Sequence, residues 1–182
     1  MNRFRYAIPT TLALFISFSS AVAQHTPYAG MQTRSVKALS EQQLADLKAG
    51  RGMGLALAAE LNGYPGPAHV LEFSKELSLS VQQREQVESL FEAMKDETVL
   101  LGENLIKLES ELDGLFAAKA ITQTSLKSSL NSIGAVQGDL RAAHLKYHLL
   151  TLDILTPEQV ARYSELRGYT QSVQPGHTTH PH

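Results

Sequence analysis

Seven histidines and no cysteine define the chemistry open to this 182-residue chain. Without a thiol there is no disulfide framework, thiolate zinc site, iron–sulfur cluster or cysteine nucleophile. Two histidines stand four residues apart in His144-Leu145-Lys146-Tyr147-His148. In a helix that spacing puts both imidazoles on one face, where two nitrogens can share one metal ion. The helical zinc-protease motif needs Glu at position 145; Leu stands there, so a hydrolytic centre of that kind is excluded. The plainer alternative makes His144 a hydrogen-bonded histidine in a helix seam and His148 a surface one. No Ser/His/Asp set sits at a nucleophile elbow, and no enzyme activity is expected. Gly50-Arg51-Gly52-Met53-Gly54 has the glycines of a phosphate loop but neither a preceding strand nor a following Gly-Lys-Ser/Thr. It reads instead as a flexible or closely packed helix junction.

The remaining ligands depend on the elements that carry them. Period-two alternation is absent, while helix punctuation recurs along the chain. Ser40 before Glu41-Gln42-Gln43 makes a cap and capping box, and Gly50 closes that helix. A short helix is expected over Leu55–Leu61, stopped by Asn62-Gly63, and another over His69–Leu77 after the turn Tyr64-Pro65-Gly66-Pro67. Ser80 and Gln83 open a long helix with a seam at Val87, Phe91, Met94, Thr98, Leu101, Leu105, Leu108, Leu112 and Leu115. Gly102 inside it is a tolerated glycine, costing roughly 1 kcal/mol against Ala. After a turn at Ala117–Ile121, Thr122 caps a second long helix, with a seam at Leu126, Leu130, Ile133, Gln137, Leu140, His144, Tyr147, Thr151 and Ile154. Thr156-Pro157 starts a last helix that stops at Gly168.

The expected fold is therefore all-α: a long antiparallel helical hairpin with short N-terminal helices and a C-terminal helix. Neither long helix can bury its seam alone, so dimerisation is an expectation too. With the hairpin midpoint near residue 119, Met94 and His144 lie opposite each other, and Glu88 or Glu92 falls near His148. His69 and Glu72 sit by the open end. The candidate metal ligands are thus His144, His148, His69 and Met94, a donor set suited to Zn, Cu, Ni or Co rather than Mg or Ca. No cofactor is required beyond such an ion.

Residues 1–23 combine basic Arg3 and Arg5, a short apolar run, and Ala21-Val22-Ala23 before Gln24. That is the layout of a cleavable signal peptide, with cleavage after Ala23; the run is shorter than the ~20 residues a membrane span needs. A periplasmic location is expected. The domain reading is 24–39 as an extended N-terminal segment, 40–168 as one α-helical domain, and 169–182 as a disordered tail holding His177, His180 and His182. The net charge of −2 offers no basic surface for a nucleic-acid partner.

Leu155-Thr156-Pro157-Glu158-Gln159 has the form Leu-Thr-x-x-Gln, and Leu79-Ser80-Val81-Gln82-Gln83 is a degenerate copy of it. In an exported, Cys-free chain of this size, the pair resembles the Spy/CpxP family of periplasmic proteins, with ZraP-like and CnrX-like metal-responsive relatives. The resemblance covers roughly Pro67 to Gly168. It implies a small curved helical homodimer acting in envelope stress as an ATP-independent chaperone for unfolded periplasmic proteins. As the alternative, it implies a heavy-metal sensor or resistance protein binding a transition metal ion through helix histidines. Some relatives also touch a sensor kinase. Chaperone-like binding leads on the strength of the paired motifs.

Overall fold

The computed structural model describes residues 28–170. Six α-helices follow a single 3-10 turn at Met31–Thr33: α1 (Glu41–Lys48), α2 (Leu57–Glu60), α3 (Pro67–Glu72), α4 (Val81–Ala117), α5 (Gln123–Leu152) and α6 (Pro157–Leu166). Among the described residues there is no strand, and no helix is long and apolar enough to cross a membrane. The signal-peptide reading and the histidines of the tail fall outside the described residues.

Local chemistry sets the helix starts. Ser40, Ser80, Thr122 and Thr156 each accept from the backbone N–H three residues on, and the side chain of that third residue accepts from the cap's own N–H in return. Such reciprocal caps satisfy donors that a helix leaves orphaned, at about 1 kcal/mol each. The two short middle helices are shorter than their patterns predict. Met53 and Gly54 take left-handed backbone (φ 44 and φ 82), and the turn bonds from Leu55 N–H to Gly52 O and from Leu57 N–H to Gly54 O delay α2 to Leu57. α3 stops at Glu72, five residues short of the expected Leu77; turns carry the chain onward to Ser78, itself left-handed at φ 50.

α4 and α5 run about 55 Å and 45 Å at 1.5 Å per residue and pack together as the hairpin. The motif glutamines clasp its base. Gln83 Nε2 donates to Gln159 Oε1 (2.8 Å), and Gln159 Nε2 donates back to Gln83 Oε1 (3.1 Å). The same two amides reach the carbonyls of Ile154 and Leu77. Each glutamine thus closes its own helix cap and ties the start of α4 to the start of α6.

Two apolar clusters sit on the hairpin. One packs Val36, Leu39, Leu44 and Leu47 onto Leu105, Ile133, Val136 and Leu140; the other joins Val70, Leu77, Val87, Leu155 and Tyr163 at the base. Val36 and Leu39 belong to the 24–39 stretch expected to be extended. They are buried because the chain turns there, with Leu39 N–H bonded to Val36 O. The seam of α5 is narrower than its spacing suggests, since Gln137 and Leu130 face outward. Gly102 is no neutral interior glycine. A Cβ there would lie 2.5 Å from Leu47 O, so the missing side chain is what lets the end of α1 dock on α4. Gly50 completes that contact, because a Cβ on it would meet Thr98 Oγ1 at 2.6 Å.

Candidate functional site

Between the two clusters the hairpin seam turns polar: Thr98, His144, His148 and Thr151 are all buried. The threonines need no outside partner. Thr98 Oγ1 donates to Met94 O (2.8 Å) and Thr151 Oγ1 to Tyr147 O (2.7 Å), one helical turn back along their own helices. The histidines are different. His148 Nδ1 meets Tyr64 O at 2.6 Å, which makes Nδ1 the donor. His144 is 3% exposed, and its Nε2 has no hydrogen-bond partner. Neither half of the plainer reading describes the pair: His148 is not at the surface, and His144 Nε2 lacks the bond a satisfied seam histidine would make.

Glycine backbone forms the roof over both rings. A Cβ on Gly52 would sit 3.5 Å from His144 Nδ1, and one on Gly66 would sit 2.8 Å from His148 Nε2. The loops Gly50–Gly54 and Tyr64–Pro67 therefore lie directly on the imidazoles. The glycine-rich segment is the closely packed of its two predicted forms.

Between these loops and the hairpin lies a cavity of about 520 Å³. His69, Met94, His144 and His148 all line it, as do Met53, Phe91 and Leu57. The volume falls within the range of small-ligand sites, about 300–1,000 Å³. The four candidates are not equivalent within it. His144, His148 and Met94 are buried, whereas His69 is partly exposed and its Nδ1 lies 3.2 Å from Glu72 Oε2. Glu88 and Glu92, expected near His148, are exposed, and Glu88 pairs with Arg84 at 2.8 Å. Among the described residues no three of His, Asp and Glu gather as a preformed metal site.

The carboxylate near His148 is Glu60, which the sequence pattern did not reveal. It is 6% exposed, at the end of α2. Its Oε1 accepts from Tyr163 Oη (2.5 Å), Tyr169 Oη (3.0 Å) and Arg167 Nε (3.2 Å). Its Oε2 lies 3.8 Å from His148 Nδ1 and has no hydrogen-bond partner. The sequence places Tyr169 in the tail from 169 onward; this bond and its partial burial make it part of the domain instead. Glu60 was legible only as an isolated acid in an apolar four-residue helix, a cue that burial requires partners.

Burial shifts the titration of two groups at the site. Burial pushes the His144 imidazolium below the usual histidine range, and the nearby His148 adds to the effect. A neutral imidazole is the form that binds a metal. Burial, helped by the bond to Glu60, raises the Tyr163 hydroxyl well above its ordinary value, so it remains a donor. Scans against protein families, curated proteins and solved structures each find no match to this chain.

Proposed function

We propose that this chain is an exported, non-catalytic binding protein of the Spy/CpxP type that captures a transition metal ion at the base of its hairpin. One observation carries the reading: His144 Nε2 is buried without a partner, and His144 lines a cavity with His148, Met94 and His69. Leaving a buried nitrogen unsatisfied costs about 1–3 kcal/mol, and an ion would recover that cost. Burial keeps the ring neutral, the Tyr64 carbonyl orients the second imidazole, and Glu60 Oε2 supplies nearby negative charge. These are the roles of residues that support a metal's direct ligands. The cavity moves this reading ahead of chaperone-like binding.

The test is competition of the purified chain against a chromophoric chelator for Zn(II), Ni(II), Co(II) and copper. His177, His180 and His182 are replaced by Ala so that the tail cannot contribute. One ion per chain is expected, with binding lost in His144→Ala plus His148→Ala. Unchanged affinity in that variant refutes the reading.

Chaperone-like binding is the second reading. It rests on the far end of the hairpin, where Phe116 and Leu130 are 53% and 51% exposed. An exposed apolar tip is a surface for an unfolded client or a second copy of the chain. Suppression of client aggregation without ATP supports this reading, and no suppression at several-fold excess counts against it.

A further inference from the structure

Met53 is not among the ligands that the His-x-x-x-His spacing suggests, yet it lies in the wall of the same cavity. Its backbone is left-handed, with φ 44, a conformation that costs an ordinary L-residue roughly 1 kcal/mol or more. Glycine would take it freely, and the chain places glycine at 50, 52 and 54 on either side. Methionine is thus held where the backbone favours glycine, and such outliers cluster at ligand sites. The loop carrying it cannot drift away, since Gly50 is docked on Thr98 and Gly52 lies on the His144 ring.

The cavity therefore presents two thioethers, Met53 and Met94, alongside three imidazoles, of which His69 is partly exposed and paired with Glu72. Among the described residues the cavity's one carboxylate, Glu60, already has three donors on one oxygen. A divalent ion such as Zn(II) prefers four nitrogen, thiolate or carboxylate donors, and no three His, Asp or Glu gather among the described residues. Thioethers select soft ions. Arg51, Lys95 and Arg167 also line the cavity, and a single positive charge is repelled less by them than a double one. We infer that the site takes a soft monovalent ion, Cu(I) or Ag(I), with Met53 and Met94 as thioether ligands beside His144. This inference rests on the metal reading above and specifies its ion.

The experiment titrates the purified full chain, its three tail histidines replaced by Ala, with Ag(I), with Cu(I) under reducing conditions, and separately with Zn(II). Binding is followed by competition and by the NMR signals of ¹³C-labelled methionine methyl groups. The chain has four methionines, and Met53→Leu and Met94→Leu assign the two signals of interest. Both substitutions nearly conserve volume, and Met53 is 43% exposed. We expect both methyl signals to shift with Ag(I). We also expect each variant to lose at least about tenfold in Ag(I) and Cu(I) affinity, the scale of loss at a metal site deprived of a supporting residue. Zn(II), which prefers nitrogen and carboxylate donors, should lose less affinity than either soft ion in both variants. Zn(II) binding that depends on the histidines, with no Ag(I) or Cu(I) binding, overturns this inference and leaves the metal reading standing. Soft-ion binding that ignores both substitutions also overturns it. Binding of none of the three ions overturns both.

Discussion

Replacing Gly102 by Ala should destabilise the protein, against the rule for helix interiors. In α4 the change would ordinarily gain about 1 kcal/mol of helix propensity. Here the added Cβ would stand 2.5 Å from Leu47 O, 2.9 Å from Leu47 C and 3.2 Å from Leu47 Cα. Ordinary contacts begin near 3.4 Å, so the end of α1 must retreat by about an ångström. The obstacle is backbone, which cannot rotate aside. Overpacking of this kind costs about 1–3 kcal/mol, and we take the upper end because Leu44 and Leu47 retreat with the helix. The net effect is a loss of about 2 kcal/mol, or roughly 4–8 °C in Tm for a chain of this size. Gly134→Ala and Gly138→Ala provide the control. Both glycines lie in α5 with nothing within 4 Å of an added Cβ, so each should gain up to about 1 kcal/mol and 2–4 °C. Parallel circular-dichroism melts read the three variants, and amide exchange in α1 should quicken only in Gly102→Ala. A Gly102→Ala protein that melts at or above the parent refutes the close-approach argument.

Three further outcomes follow from the geometry. Gln83→Ala and Gln159→Ala should be non-additive in denaturant melts, with a coupling of about 0.5–3 kcal/mol for residues sharing one hydrogen-bond network; additive losses would deny the clasp. Glu60→Gln should cost about 1.5–3 kcal/mol by weakening bonds to a charged acceptor, and should free Tyr169 to solvent, read as faster exchange beyond α6; an unchanged Tm would contradict its central place. His144 is held below the usual histidine range when folded. The unfolded chain therefore binds a proton that the folded chain resists, and stability should fall as pH drops through about 6.5, the ordinary histidine value. His144→Gln should flatten that slope in melts across pH, and an unaltered slope would assign it elsewhere.

The fold was legible because its signals are local. Caps at Ser40, Ser80, Thr122 and Thr156 and the four-three apolar spacing act within a few residues, and the structure follows them. The all-α hairpin needed nothing more. Equal distances from the turn also placed Met94 and His144 beside one cavity. What escaped is what depends on contacts across the chain. Gly102 matters because Leu47 approaches it, Glu60 because Tyr163, Arg167 and Tyr169 arrive from more than a hundred residues away, and Gly66 because a ring from α5 lies against it. Periodicity cannot report such meetings. The acid chosen for His148 was wrong for the same reason: Glu88 has the right height along the hairpin but faces solvent, while Glu60 is brought in by a short helix that the hairpin arithmetic does not include.

An ion bound in the cavity against His144 can be seen directly. Crystals of the metal-loaded chain, measured at the absorption edge of the bound element, would locate it directly. One anomalous peak is expected inside the cavity, at bonding distance from a His144 nitrogen, about 2.0–2.1 Å for a zinc-sized ion. A cavity without a peak, or a peak held only by the tail histidines, would contradict the metal reading.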